Sequence, residues 1–102
     1  MGVGMAKGYW IAQVDVADMD RYNIYSAAID ATLAPFGGRF LVRGGRREVV
    51  EGVTRQRAIL IEFDSYEQAL ACYRSPAYQT IIALRSGAAT VDIVVVEGYD
   101  GP

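Results

Sequence analysis

Histidine is missing from this 102-residue chain, and cysteine and tryptophan occur once each. Without histidine there is no imidazole base, no histidine-supported nucleophile and no histidine ligand for haem or zinc. The lone Cys72 closes no internal disulfide and holds neither zinc nor an iron–sulfur centre by itself, which suits a reducing cytoplasm. Long apolar runs are also missing. The best, Ala58-Ile59-Leu60-Ile61 and Ile93-Val94-Val95-Val96, are far too short to cross a bilayer. The opening residues lack the layout of a secretory leader, and Ala6 stands where a myristoylation pattern needs Ser or Thr. Neither G-x-x-x-x-G-K-[ST] nor G-x-G-x-x-G occurs, so Gly37-Gly38 and Gly44-Gly45 read as a helix stop and a strand bulge rather than phosphate loops. These absences predict a soluble cytoplasmic protein with no metal, no cofactor and no membrane partner.

The net charge of −2 argues against a general nucleic-acid binder. Its distribution is uneven. Arg39, Arg43, Arg46, Arg47, Arg55 and Arg57 face only Glu48 and Glu51 within residues 39–57, an excess of +4, while the remainder carries −6. Such a split can steer an anion, or it can be a solvated hairpin.

The hydrophobic fraction of 52% with 22% charged residues describes one compact domain. Gly8 to Val16 is rich in aromatic and β-branched residues and reads as a strand. Asp18 follows as a helix N-cap, and Tyr22, Tyr25, Ile29, Leu33 and Phe36 mark one helical face before Pro35 and Gly37-Gly38 end it. Arg39 to Arg43 is a second strand, Glu48 to Gly52 a short extended return, and Gln56 to Phe63 a third strand. Ser65 with Gln68 forms a capping box for a second helix carrying Tyr66, Ala69, Leu70 and Tyr73. Ser75-Pro76 opens a third helix with Tyr78, Ile81, Ile82 and Leu84, closed by Gly87. Thr90 to Glu97 is the last strand.

The order β-α-β-β-α-α-β predicts an α+β, ferredoxin-like split β-α-β fold, a four-stranded antiparallel sheet with helices on one face. The domain spans residues 6–98, with 1–5 as an N-terminal extension and 99–102 as a C-terminal tail. A sheet with one wet face should alternate apolar and polar residues, yet the third and fourth strands are apolar on both parities. A second copy of the sheet is the economical cover, so a homodimer is expected.

Lys7-Gly-Tyr-Trp10, the run Gly37 to Gly45 (GGRFLVRGG), Val50-Glu-Gly52, Ile61-Glu-Phe63, the run Tyr73 to Tyr78 (YRSPAY) and Val96-Glu-Gly-Tyr99 resemble a bacterial family called domain of unknown function thirteen-thirty, within the dimeric α/β-barrel superfamily. The likeness covers nearly the whole chain. It implies a homodimer whose two sheets curve into a shared barrel, and it implies no activity. The wider superfamily holds cofactor-free monooxygenases, lactone isomerases, haem proteins and amino-acid-sensing domains, so the fold alone gives no function. The absence of histidine speaks against the haem branch.

The residues that can carry chemistry are few. Tyr22 and Tyr25 sit one turn apart on the first helix, and with Tyr78 they either pack the core or line a pocket with hydroxyl tips. Tyr73 has the same two readings. Cys72 reads as a small buried hydrophobe. Charges inside apolar strands are costly unless paired. Strand alternation puts Arg57 with Ile59, Ile61 and Phe63, puts Glu62 on the opposite face with Ala58 and Leu60, and puts Asp92 with Val94 and Val96. Arg39 and Arg43 share a parity opposite Phe40 and Val42. These charges are either ion pairs that fix sheet register and the dimer seam, or a site where arginines hold a carboxylate and Glu62 or Asp92 handles a proton.

Three functions from different classes follow. One is a small-molecule-binding homodimer, open to cofactor-independent isomerase or oxygenase activity. Another is a non-catalytic ligand-sensing or accessory domain, and the third a purely structural dimer module. The first is taken forward, with a small anion or carboxylate-bearing ligand between sheet and helices near Tyr22, Tyr25, Arg43, Arg57 and Tyr78, and Glu62 as the catalytic carboxylate. Residues 39–57 are expected to form an arm or edge strand whose Arg39 and Arg43 meet Asp92 and Glu97 of the second copy.

Overall fold

Strand β1 (Gly8–Val16) alternates as a strand with one covered face should: Trp10, Ala12 and Val14 are buried, while Ile11 and Gln13 are exposed. The computed structural model describes residues 6–101, so the N-terminal extension and Pro102 lie outside the described residues. Helix α1 (Met19–Leu33) starts where Asp18 accepts a hydrogen bond from the Arg21 N–H, and it buries Tyr22, Tyr25, Ile29 and Leu33. Its end tightens into a 3₁₀ turn at Ala34–Phe36, and Gly37 leaves it with a φ of 71°.

Strands β2 (Arg39–Arg43) and β3 (Arg57–Phe63) pair antiparallel, and Leu41 is the extra residue of a bulge between them. The bulge corrects the expected shared parity of the two β2 arginines. Arg39 lies opposite Glu62 and Arg43 opposite Ile59, so they stand on different faces of the sheet. Glu48 to Gly52 is not a strand. Residues 45–56 form an open arm held mainly by side chains: Arg47 donates to the Gln56 carbonyl and to Thr54, and Asp15 accepts from the Gln56 N–H. Because those side chains take the backbone groups of the returning limb, a hydrogen-bonded ladder does not form there. Val50 and Val53 are 86% and 99% exposed along it.

Helices α2 (Tyr66–Arg74) and α3 (Pro76–Ile82) share Ser75 as the residue between them. Its hydroxyl donates to the Cys72 carbonyl at 2.7 Å and accepts from the Tyr78 N–H at 3.2 Å, which closes one helix and starts the next. The third helix ends earlier than its apolar spacing suggested, passing into a 3₁₀ turn at Ala83–Arg85. Strand β4 (Ala89–Glu97) completes an antiparallel sheet in the order β2-β3-β1-β4, the ferredoxin-like arrangement.

All three helices pack on one face of the sheet. The centre of that core is aromatic, with Trp10 lying 5.4 Å from Phe63 and 4.9 Å from Tyr78 between ring centroids. The Trp10 indole N–H is satisfied by the Ala69 carbonyl at 2.8 Å, so the ring is buried without an orphan donor. On the other face Ile11, Val42, Val94 and Val96 are exposed and Leu60 is half-buried. No helix among the described residues is long and apolar enough to cross a membrane.

Candidate functional site

Packing between α1 and the sheet is incomplete. A cavity of about 30 Å³ remains, walled by Trp10, Ala12, Val14, Ile29, Ile59, Ile61, Val91 and Ile93, with Phe40 to one side. Its polar lining is Tyr22, Tyr25, Ser26, Arg43 and Arg57. Strand parity explains the arginines. Arg57 and, after the bulge, Arg43 project from the same sheet face as Ile59 and Ile61, toward α1.

The two guanidinium groups differ in their partners. Arg43 Nη1 donates to Asp30 Oδ1 at 3.1 Å, and Nη2 donates to the Ser26 carbonyl and hydroxyl at 2.8 and 3.2 Å. Its Cζ lies 3.8 Å from the Phe40 ring centroid. Arg43 is therefore neutralised by α1, through residues one helical turn apart. Arg57 has its Cζ 5.7 Å from the Tyr22 ring centroid, and its buried Nε has no hydrogen-bond partner. Among the described residues no carboxylate pairs with it.

Tyr25 and Tyr78 share a hydrogen bond at 2.7 Å between hydroxyl oxygens. Burial raises the Tyr25 hydroxyl well above its ordinary value, reinforced by Tyr78 and only partly opposed by Arg85. It stays protonated and can donate. Arg85, whose Cζ is 5.2 Å from the Tyr25 ring centroid, backs this pair. Cys72 is fully buried and its thiol is pushed up to about 11 by burial, the state of an inert core residue.

Of the six residues placed in the site from sequence, the structure brings Tyr22, Tyr25, Arg43 and Arg57 to one cavity. Tyr78 stands behind it, joined through Tyr25. Glu62 is not brought there. It lies on the helix-free face, where it accepts from the Tyr9 hydroxyl and from Arg39 Nε, both at 2.9 Å. The Tyr9 hydrogen bond, then Arg39, hold its carboxyl below the ordinary range against a smaller opposing effect of burial. Arg39 also reaches Asp64 at 3.2 Å. At the other end of the same face Arg55 bridges Asp15 and Asp92 at 2.8 and 2.7 Å. Within one chain, then, Arg39 and Asp92 share the open face with partners of their own, Arg43 is on the helix side, and Glu97 is exposed at the end of β4.

Ser26, Asp30 and Arg85 were not singled out from sequence. Ser26 and Asp30 stand four and eight residues after Tyr22, a helical spacing that would have put them along one edge of its stripe. Nothing in the sequence ties Arg85 to the two tyrosines, because that contact is made across the helical layer.

Comparison with known proteins agrees with this architecture. A family model described as a domain of unknown function (DUF1330) matches residues 7–99. No curated protein matches the chain. Among solved structures, a protein of unknown function from Rhodopseudomonas palustris superposes with a TM-score of 0.73 at 13% identity, over 95% of this chain and 85% of that one. A dimeric ferredoxin-like protein of unknown function from Thermobifida fusca gives 0.60 at 15% identity, over 95% and 93%. SnoaB, a cofactor-independent oxygenase from Streptomyces nogalater, gives 0.62 at 12% identity, over 94% and 96%. At these identities the likeness is one of fold.

Proposed function

The chain belongs to this family, whose fold is in place but whose chemistry is unassigned, and from that footing we propose that it is a small-molecule-binding homodimer. The observation that carries the binding reading is the unfilled space between α1 and the sheet. Its wall is apolar, with Ser26, two tyrosines and two arginines converging on it. Apolar walls with a few placed polar groups are the make-up of a ligand site, and the small size of this one limits it to a very small ligand. The arginines favour an anionic or carboxylate-bearing ligand.

The same wall bears on catalysis. None of its residues is a carboxylate, a cysteine or a histidine, and the Tyr25 hydroxyl keeps its proton. Binding is thus better supported than proton abstraction, and Glu62 stands outside the proposal. An isomerase or cofactor-independent oxygenase reading, of the kind the SnoaB likeness suggests, would rest on a bound substrate's own reactivity with the tyrosines as hydrogen-bond donors.

The dimer reading rests on the helix-free face. Ile11, Val42, Val94 and Val96 form an exposed apolar patch between the Arg39–Glu62 and Arg55–Asp92 ion pairs. One such neighbour, that from Thermobifida fusca, is a dimeric protein. The arm of residues 45–56, with Val50 and Val53 outward, is the segment that reaches a second copy. Trp10 lines the cavity and is the only tryptophan, so its fluorescence tests the binding reading directly. Compounds that quench or shift it and raise the melting temperature support the site. A broad panel of small acids, amides and alcohols without effect at millimolar concentration overturns it.

A further inference from the structure

We propose that Arg57 is the anchor of this cavity and that its ligand is a compact, apolar monocarboxylate. The inference rests on reading the cavity as a binding site and names the class that site takes.

Two arginines line the chamber, but only one has charge to spare. Arg43 is matched by Asp30, and its donors are occupied by Ser26. Arg57 has no carboxylate partner among the described residues, and its Nε is buried without an acceptor. A buried donor on a charged group is costly to leave unmade, so an acceptor brought by a ligand would gain a strong, charge-assisted bond. A carboxylate is the complementary shape, because its two oxygens can meet Nε and one Nη side by side.

The guanidinium has close neighbours on two sides. The Tyr22 ring lies on one side of it. Gly44, at a φ of 67°, passes so close on another that a Cβ there would collide with the guanidinium.

Charge and size narrow the class. One unmatched guanidinium balances one negative charge, which favours a carboxylate over a dianionic phosphate or dicarboxylate. The remaining wall is hydrocarbon, so the rest of the ligand is apolar. A chamber of about 30 Å³ takes only a few non-hydrogen atoms, which limits the hydrocarbon part to a methyl group or little more.

The full chain is titrated at constant ionic strength with acetate, acetamide, malonate and inorganic phosphate, following Trp10 fluorescence. Acetate is expected to bind at least roughly tenfold more tightly than the isosteric amide, from the charge-assisted bond alone. Arg57→Gln removes that preference by weakening the acid far more than the amide, and Arg57→Lys, which keeps the charge and loses the fork, restores it only in part. Asp30→Asn frees the charge of Arg43 and adds affinity for malonate. Equal binding of acid and amide by the wild type overturns the anchor while the cavity stands. Tighter binding of phosphate or malonate by the wild type overturns the charge class. No binding of acid or amide overturns both the anchor and the site. The wild-type comparison holds whether or not the variants fold.

Discussion

The hydroxyl oxygens of Tyr25 and Tyr78 lie 2.7 Å apart in the core, joining α1 to α3 behind the cavity. Each is buried, so removing one oxygen leaves the other short of a partner. Tyr25→Phe is therefore expected to cost about 1–3 kcal/mol, and Tyr25→Phe with Tyr78→Phe less than the sum of the two single changes. Denaturant unfolding of the four proteins checks this. Additive losses would show that the two hydroxyls are satisfied independently.

Acid stability should depend on the helix-free face. Glu62 is held low by Tyr9 and then Arg39, and Asp15 by the Gln56 N–H and then Arg55. A carboxyl whose folded value lies below its unfolded one adds stability above the unfolded value. That stability is lost as pH falls through the folded value. The stability curve is thus expected to be flat near neutrality and to fall below the ordinary carboxylate range. Glu62→Gln should make the acid limb shallower, and melting temperatures between neutral and strongly acidic buffer read it. An unchanged acid limb would mean that folding does not lower the Glu62 carboxyl, and would overturn this reading of the Tyr9–Glu62–Arg39 group.

The apolar patch on that face makes a separate prediction. Val94 is 54% exposed on β4, beside Ile11 of β1, to which it is paired. If a second copy covers it, Val94→Asp places an unpaired charge in the interface and should give a folded 11.1 kDa monomer. Sedimentation of wild type and variant at micromolar concentration decides. A wild type that sediments as a monomer leaves the patch without a homodimeric partner.

How much of this the sequence carried can be traced to particular residues. The element order, the caps at Asp18, Ser65 and Ser75, and the apolar stripe of α1 were legible, because each depends on neighbours a few positions away. Strand alternation correctly separated Arg57 from Glu62. It failed for Arg39 and Arg43 because a bulge at Leu41 shifts the alternation by one, and Gly44-Gly45, where a bulge was read, lies just past it. The extended return at Glu48 to Gly52 failed for a different reason. Its sequence is strand-like, but the groups that hold the arm are side chains of β1 and of the arm itself. The site was legible as a set of residue types, whereas the pairing of Arg43 with Asp30, which leaves Arg57 alone, depends on where α1 crosses the sheet.

Gly44 gives the final test, since it links the backbone of the bulged hairpin to the proposed anchor. Its φ of 67° is one that an L side chain rarely adopts, and a Cβ would meet the Arg57 guanidinium. Gly44→Ala is expected to cost about 1–2 kcal/mol for the backbone conformation alone. To make room, the guanidinium must move, so acetate should lose more affinity than acetamide, which does not need the charge. Gly45→Ala is the matched control. A Cβ there meets nothing within 4 Å and the backbone needs no left-handed turn, so both stability and binding should stay near wild type. Loss of acid and amide binding together in Gly44→Ala, with Gly45→Ala unaffected, would show that Gly44 shapes the chamber as a whole. Loss of the acid alone would trace its part in binding to the position of Arg57.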